Sequence, residues 1–302
     1  MKRPLIPTAL TILLALPCLT FAQDETQIHW YPQEPTDHDS LTVIITGLFW
    51  DSSYWIEDVN HDQDGNNLET VIFVFQDLEG IHLPMVMPWE VEHNWGVLES
   101  GNYEMNLIII WEDSDGNRDW WDYREEFTVS ESEELEINIK LVEGWNLISF
   151  FIDPAEPDIR AIFNPLVEEE ILNIVVNGQG HFYIPAFGFS NIPSWKVNEG
   201  YWVNVLEDAE LTVEGFEISV DRVISLRRGW NTVAYLPEDE AEAPDAFRYI
   251  ERRLFLAKDA EGHFYRPHYF NNMDPLQRGQ GYWVKLARDE RFVWNTEREN
   301  GH

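Results

Sequence analysis

Apolar and polar residues alternate in the first part of the chain in short runs that predict β-strands. Four such runs, rich in β-branched and aromatic residues, cover positions 41–49, 70–75, 103–111 and 120–129, and polar turns separate them. In the last run Trp121, Tyr123 and Phe127 fall on one face and polar residues fill most of the other, as in a strand with one buried side. The turn residues at 113–117 predict a hairpin in which Gly116 or Asn117 takes a positive φ. We therefore predict one all-β domain at residues 24–130.

The second part of the chain writes one pattern twice. Gly-Trp-Asn at 144–146, Gly-His-Phe-Tyr at 180–183 and Gly-Tyr-Trp-Val at 200–203 return at 229–231, 262–265 and 281–284. Each copy also contains a segment with apolar residues at helical spacing, at 158–170 and 244–254. A self-similar period indicates a duplicated folding unit. We predict two tandem β-rich α+β repeats at 135–218 and 219–296, which pack on each other, after an acidic joint at 130–134. The predicted fold class is mostly β.

The first 22 residues have the pattern of a secretory signal peptide. Lys2 and Arg3 precede an apolar stretch at 5–16, and a small-x-small cleavage signal follows at 20–22. The alternative, a signal anchor, needs about 20 unbroken apolar residues, whereas three prolines interrupt this stretch. We expect cleavage, no membrane span afterwards, and a secreted, extracellular protein, with the periplasm as the alternative location. Cleavage would remove Cys18, the single cysteine, so the mature chain would hold no disulfide.

The charge of the chain limits its partners. Twenty Lys and Arg residues stand against 55 Asp and Glu residues, which gives a formal net charge of −35. Such a field repels nucleic acid and anionic membrane surfaces and attracts cations. We therefore expect no nucleic-acid partner. Adaptation of the surface to a salty habitat accounts for this acidity without a binding site.

Both parts of the chain resemble known families. The order of blocks at about 135–295 resembles a tandem module at the ends of many secreted proteins of environmental bacteria, with Gly-Trp-Asn at its head and Gly-Tyr-x-Val at its tail. The run from Leu98 to Tyr103 before a long strand resembles the corner of immunoglobulin-like sandwiches, where a tyrosine ties the chain to its own backbone. The prolines and Asp39 of segment 32–39 resemble the opening of bacterial immunoglobulin-like domains. These resemblances imply an immunoglobulin-like β-sandwich followed by repeats without catalytic activity.

The aromatic residues shared by the two copies are the first candidates for a function. Large aromatic side chains usually fill the core of a small β unit, and we expect this structural role for most of them. The alternative is a flat platform for sugar rings or peptide side chains, since adjacent strand residues point to opposite faces and one ring of each Tyr-Trp pair can face solvent. His181 and His263 are also expected to be structural, because no partner for a catalytic base recurs beside them. The repeated rings are Trp145, Tyr183, Tyr201, Trp202, Trp230, Tyr265, Tyr282 and Trp283.

The first domain twice places an aromatic residue beside an acid. Trp50-Asp51 and Trp121-Asp122, the latter with Trp120 before it, resemble carbohydrate-binding sandwiches, in which a ring stacks on the sugar and a carboxylate bonds its hydroxyls. Trp120 is the strongest single candidate because it falls on the polar face of its strand. The alternative is that these tryptophans belong to the sandwich core. The candidate ligand-binding residues are Trp50, Asp51, Trp120 and Asp122.

Segment 58–65 has oxygen-bearing side chains at alternate positions, like a calcium loop: Asp58, Asn60, Asp62 and Asp64. The helix-loop-helix calcium pattern needs Gly at position 6 and Glu at position 12. Counting from Asn60 puts Gly65 at position 6 but Val71 at position 12. A solvated acidic loop is therefore favoured over a structural Ca²⁺ site, and we predict no other cofactor.

No sequence motif indicates catalysis. The chain contains no P-loop, dinucleotide fingerprint, zinc-ligand spacing or Gly-x-Ser-x-Gly. We predict a secreted, non-catalytic binding or adhesion protein that recognises a polysaccharide or another exported protein. One alternative is a structural spacer of an extracellular assembly, whose aromatic residues would all be buried. The other is a secreted hydrolase, which would have two carboxylates facing each other across a cleft.

Overall fold

The computed structural model of the protein describes residues 26–294. The predicted signal peptide at 1–22, the first positions of the predicted first domain and the last two positions of the second repeat lie outside this range. Strands predominate in the described residues, and they form several sheets. The predicted mostly-β fold is therefore confirmed. Of the helices within 26–294, none has the length and apolar character needed to cross a membrane.

Seven strands form the first part of the fold. They are β1 (Gln27–Tyr31), β2 (Ser40–Phe49), β3 (Tyr54–Asp64), β4 (Asn67–Gln76), β5 (Met87–Val97), β6 (Gly101–Asp113) and β7 (Arg118–Val129). Their sheets have the orders β1-β2-β5 and β3-β4-β6-β7. Buried residues of both sheets, such as Leu41, Ile45, Ile72 and Leu107, share one core. The two sheets therefore pack face to face.

Strands β4 and β6 run parallel, while the other strand pairs of these two sheets are antiparallel. Immunoglobulin-like sandwiches are built from antiparallel sheets, so the parallel pair departs from that pattern. The predicted tyrosine tie is present, since Tyr103 Oη donates a hydrogen bond to the Glu99 carbonyl at 3.0 Å. The predicted hairpin turn is also present, and Gly116 is its residue with positive φ, at +83°. The immunoglobulin-like topology itself stays a prediction.

The next segment, which corresponds to the predicted first repeat, contains two sheets and a helix. Its elements are β8 (Glu134–Leu141), β9 (Gly144–Ile148), β10 (Ile152–Pro154), α1 (Ile159–Glu168), β11 (Leu172–Val176), β12 (Phe182–Ile184), β13 (Phe189–Ser190), β14 (Tyr201–Val205) and β15 (Ala209–Glu217). A five-stranded sheet has the order β13-β12-β11-β14-β9, and a three-stranded sheet has the order β10-β15-β8. Helix α1 begins at the N-cap Asp158, whose side chain accepts the backbone N–H of Arg160 at 2.7 Å.

The segment after it builds the same five-stranded sheet again. Its elements are β16 (Ile224–Leu226), β17 (Gly229–Ala234), α2 (Ala243–Ala246), β18 (Leu254–Lys258), β19 (Phe264–Arg266), β20 (Phe270–Asn271), β21 (Gly281–Leu286) and β22 (Glu290–Phe292). The sheet has the order β17-β21-β18-β19-β20. The first sheet, taken from its other edge, has the order β9-β14-β11-β12-β13, so each strand has its counterpart at the same place. The predicted helix at 244–254 is wrong in length, since α2 spans four residues. Its N-cap residue, Glu242, makes no capping hydrogen bond through its side chain, in contrast to Asp158.

The two copies meet where their Gly-Tyr-Trp-Val blocks begin. A Cβ added to Gly281 would lie 2.9 Å from the Cα of Gly200, so no larger residue fits at this crossing. The backbone N–H of Ser149 donates to the Gly279 carbonyl at 2.9 Å, and that of Ala234 donates to the Asn198 carbonyl at 3.1 Å. These two bonds join equivalent positions of the two copies in opposite directions. Buried residues of both copies also form one core, as expected for units that pack on each other.

Asp39 joins the first part of the fold to the second. Its carboxylate accepts the backbone N–H of Ser219 at 3.0 Å and the Ser219 hydroxyl at 2.8 Å. Arg222 Nη1 lies 3.9 Å from the same carboxylate, and both side chains are buried. Burial lowers the pKa of Arg222, and the negative charge of Asp39 opposes this shift. The junction therefore contains a buried charge pair.

Candidate functional site

The Gly-Trp-Asn block forms a turn that displays its tryptophan. Gly144 has a φ of +96°, which favours glycine because it has no Cβ. The Asn146 side chain accepts the backbone N–H of Val142 at 3.0 Å and donates to the Val142 carbonyl at 2.8 Å. Both groups of the amide are thus used to close the turn, and Trp145 between them points outward. The second copy repeats the geometry with Gly229, Trp230, Asn231 and Arg227.

The four repeated tryptophans lie on the outer faces of the two five-stranded sheets. Trp145 and Trp230 are 53% and 42% exposed, and Trp202 and Trp283 are half-buried. Within each copy the two rings meet edge to face. Their centroids are 6.1 Å apart for Trp145 and Trp202 and 5.6 Å apart for Trp230 and Trp283. Each copy therefore presents one matched aromatic pair to solvent.

The two pairs line one continuous depression, here called the tryptophan groove. One half, of about 420 Å³, is lined by Trp145, Val176, Trp202 and Ala260. The other half, of about 380 Å³, is lined by Trp202, Trp230, Lys258, Asp259, Ala260, Gly262 and Trp283. The halves are contiguous because Trp202 and Ala260 line both. The groove thus crosses from one copy of the repeat to the other.

The two halves of the groove differ in polarity. Lys258 Nζ and Lys285 Nζ lie 5.8 Å and 5.5 Å from the centre of the Trp230 ring, within cation–π range. At the equivalent positions of the first copy the chain has Val176 and Asn204. Asp259, 8% exposed, adds a carboxylate to the second half. The first half is mainly apolar, whereas the second carries cations and an acceptor.

A larger cleft of about 830 Å³ adjoins the groove at Trp230, which lines both. Its wall includes His181, Lys196, Arg227 and Arg228. Two buried oxygens in this wall, Asn198 Oδ1 and Glu199 Oε2, have no hydrogen-bond partner among the described residues. The cleft extends the groove with polar and cationic groups.

The prediction that the repeated aromatics fill the core is confirmed for the tyrosines. Tyr183, Tyr201, Tyr265 and Tyr282 are buried, and burial raises the pKa of each hydroxyl, that of Tyr265 to about 12. The Tyr201 and Tyr282 hydroxyls each accept a backbone N–H at 2.9 Å, from Lys196 and Gln277. Trp145 and Trp230, by contrast, are exposed, so the core role expected for most of these rings does not extend to them. Successive strand residues alternate in direction, and the outer face of each sheet stays open at these rings.

The structure places Trp120 and Asp122 on the outer face of the sheet β3-β4-β6-β7. Trp120 is 66% exposed. The pairing register runs from Trp120 through Ile110 and Phe73 to Asp58 at the opposite edge. The next row runs from Asp122 to Asn60, so candidates predicted separately share one face. Three strand spacings, about 14 Å, separate the two edges.

The acidic-loop prediction for 58–65 is wrong, because Asp58, Asn60, Asp62 and Asp64 belong to strand β3. Residues two apart on a strand are separated by about 6.8 Å, so oxygens at alternate positions line the strand in a row. A loop that wraps its ligands around one Ca²⁺ is not formed by this segment. The row is interrupted at Asp58, where the pairing with β4 shifts between Ile56 and Asp58.

Trp50 and Asp51 lie in the bend that follows β2. This strand belongs to the sheet β1-β2-β5, whereas Trp120 lies on β7 of the other sheet. Trp50 is exposed. Asp51 Oδ1 accepts the backbone N–H of Ser53 at 2.8 Å and also its hydroxyl, so this carboxylate closes the bend. The structure thus gives Asp51 a local structural role.

Sequence reasoning missed a group of donors in the turn between β18 and β19. One ligand atom each of Asp259, Glu261 and His263 lie within 4.8 Å of one another. The search for zinc spacings overlooked them because the pattern Asp-x-Glu-x-His contains no cysteine and one histidine. A comparison of the two copies would have drawn attention to it, since the first copy has Asn177, Gln179 and His181 there.

Comparison of the chain with protein-family models, with curated proteins and with solved structures gives no match.

Proposed function

We propose that the protein is a secreted, non-catalytic binding protein that holds a polysaccharide chain in the tryptophan groove. The observation that carries the proposal is the set of four tryptophans that line two adjoining depressions, one on each copy of the repeat. Contiguous exposed aromatic surface on a folded protein marks an interaction site. A groove that repeats its aromatic pair fits a ligand that repeats its own unit.

The chemistry of the groove fits sugar rings. The C–H face of a pyranose packs on an indole ring, and the sugar hydroxyls need hydrogen-bond partners at its edge. Lys258 supplies a donor beside Trp230. The second half of the groove therefore offers stacking and hydrogen bonds together, whereas the first half offers mainly stacking.

The two alternatives receive less support. A spacer would bury its aromatic side chains, but Trp145 and Trp230 are exposed in one groove. A glycoside hydrolase needs two carboxyl groups on opposite sides of the bond that it cleaves. Among the residues that line the groove, the buried Asp259 is the single carboxylate, and the cleft beside it adds Asp153 and Glu199. Binding without hydrolysis is the function that these features favour.

The outer face around Trp120 is the alternative location for the same function. Between Trp120 and Asp58 this face carries the half-buried apolar side chains of Ile110 and Phe73, which form a flat strip. Trp120 stands at one end of this strip and Asp58 at the other. Asp122 adds a carboxylate beside Trp120, in the next row of the sheet. It lacks the paired indole rings of the groove.

Calorimetric titration with a panel of neutral and anionic soluble polysaccharides tests the proposal. We expect one glycan class to bind, and we expect Trp145→Ala and Trp230→Ala each to lower its affinity at least tenfold, about 1.4 kcal/mol. Trp120→Ala, which removes a more exposed ring elsewhere, is the control and should bind as the unmodified protein does. Failure of every glycan to bind, or a loss seen with Trp120→Ala alone, would contradict the proposal.

A further inference from the structure

The turn between β18 and β19 gathers three metal-ligating side chains. Asp259, Glu261 and His263 alternate along the chain, and their donor atoms lie within 4.8 Å of one another. The backbone N–H of Asp259 donates to the carbonyl of His263 at 3.2 Å, which closes the turn. Gly262, with a φ of +92°, lets the chain reverse here. The turn geometry therefore fixes the relative positions of the three side chains.

Of these three side chains, that of Asp259 is buried, and one of its two carboxylate oxygens lacks a hydrogen bond. Asp259 is 92% buried, with Oδ2 at 2.9 Å from His263 Nδ1. Asp259 Oδ1 has no hydrogen-bond partner among the described residues. A buried carboxylate oxygen without a partner loses the hydration that it had in the unfolded chain. Such an atom calls for a water molecule or a cation.

The first copy of the repeat provides the neutral version of the same turn. Asn177 and Gln179 stand where the second copy has Asp259 and Glu261, and His181 matches His263. Asn177 Oδ1 accepts the backbone N–H groups of Gln179 and His181 at 3.1 Å and 2.9 Å. Asn177 Nδ2 donates to Gln179 Oε1 at 2.8 Å. The neutral turn thus satisfies its amide internally, while the acidic turn leaves an oxygen free.

We propose that Asp259, Glu261 and His263 bind a divalent transition-metal ion of the Zn²⁺ class. Imidazole nitrogen and carboxylate oxygen are zinc ligands, whereas Ca²⁺ and Mg²⁺ take oxygen ligands alone. The net charge of −35 concentrates cations near the surface and favours the site electrostatically. Three protein ligands leave a coordination position open to water. The proposal does not depend on the polysaccharide, although Asp259 lines the groove as well.

Calorimetric titration of the full-length protein with ZnCl₂, in excess Mg²⁺ and at physiological ionic strength, tests the site. We expect one Zn²⁺ per chain. The double variant Asp259→Asn with Glu261→Gln gives the second copy the residues of the first. It should weaken Zn²⁺ binding at least 100-fold. Asp58→Asn with Asp62→Asn removes the same charge from strand β3 and should leave the affinity unchanged. If the unmodified protein and the two double variants bind Zn²⁺ equally, the ion binds adventitiously to the acidic surface. That result would overturn the proposal.

The reciprocal variant guards against a folding artefact. Asn177→Asp with Gln179→Glu gives the first copy the acidic turn, and we expect the stoichiometry to rise from one Zn²⁺ to two. Near-ultraviolet circular dichroism without metal checks that each variant keeps its aromatic packing. A variant of the second copy that loses Zn²⁺ and keeps its spectrum supports the site. Absence of Zn²⁺ binding by the unmodified protein at micromolar concentrations would overturn it.

Discussion

The two copies of the repeat share the strand order of their five-stranded sheets and differ outside them, since α1 has ten residues and α2 has four, and a three-stranded sheet in the first copy corresponds to a two-stranded one in the second. Their five-stranded sheets match strand for strand, and even the irregular pairing at Leu172/Ile174 returns at Leu254/Leu256. Around the groove, however, Val176 and Asn177 of the first copy become Lys258 and Asp259 in the second. The shared positions build the turns, the core and the contact between copies. The positions that differ include buried ones, such as Phe150 and Tyr235, as well as those that line the groove and its neighbouring turn.

This difference teaches which residues serve the fold and which serve a function. The clamp made by Asn146 recurs as Asn231, with nearly identical distances, because both turns need it. The buried hydroxyls of Tyr201 and Tyr282 recur for the same reason. At four equivalent positions of the turn and the groove, neutral residues of the first copy are charged in the second: Val176/Lys258, Asn177/Asp259, Gln179/Glu261 and Asn204/Lys285. We therefore assign specific recognition mainly to the second copy and the apolar extension of the site to the first.

The first domain contacts the second copy at its start, and breaking this contact should have the largest effect. Asp39→Ala would remove the carboxylate nearest to the buried Arg222, the two hydrogen bonds to Ser219 and two more to Thr36. Removing one member of a buried charge pair costs about 3–5 kcal/mol. We expect this loss in the free energy of unfolding, measured by urea denaturation. Asp119→Asn, at an exposed position, is the control and should change the value by less than about 0.5 kcal/mol.

The contact between the copies provides the next test. Gly200→Ala and Gly281→Ala each place a methyl group within 3.0 Å of the other glycine's Cα. Overpacking of this kind costs about 1–3 kcal/mol, and the symmetry of the crossing predicts similar losses for the two variants. Val142→Ala, at an exposed site, should be nearly neutral. Two variants with unequal losses, or a change no larger than that of Val142→Ala, would contradict the symmetric crossing.

The smallest effect concerns pH and belongs to the first domain. His61 and His93 stack with centroids 3.7 Å apart, and burial lowers the pKa of both below 6.5, with repulsion from His93 adding to the shift of His61. The unfolded chain then takes up protons at a higher pH than the folded chain does. The free energy of unfolding should therefore fall as the pH drops through 6.5 and towards the lowered values. His93→Gln should make the free energy of unfolding depend less steeply on pH, as measured by urea titrations between about pH 7 and 5. An unchanged pH dependence would show that other groups cause it.

Much of the fold follows from the sequence pattern. The mostly-β content, the hairpin at Gly116 and the Tyr103 tie were predicted because each depends on residues close together in the chain. Strands β1, β3 and β5 were missed, and for β3 and β5 the sequence shows the reason. Their outward positions carry acids and amides, so few apolar residues remain to mark the alternation, as the segment from Asp58 to Asp64 illustrates. The parallel pairing of β4 with β6 depends on residues distant in sequence, which no local pattern records.

The site was harder to predict than the fold. The sequence identified the four repeated tryptophans but placed them in the core, since aromatic residues bury large areas in most β units. Their surroundings depend on how the two copies pack, which brings Ala260 of one copy beside Trp145 and Trp202 of the other. The metal ligands were overlooked because the histidine was considered alone. Its neighbours Asp259 and Glu261 acquire meaning only when the turn brings their side chains together.

Tryptophan oxidation footprinting tests the central claim most directly. The protein is oxidised with and without the polysaccharide that binds in the titration, and each tryptophan is quantified by mass spectrometry. The tryptophan groove predicts that the glycan protects Trp145 and Trp230 while the oxidation of Trp120 stays the same. Protection of Trp120, with Trp145 and Trp230 still reactive, would contradict the account and move the binding site to the first domain.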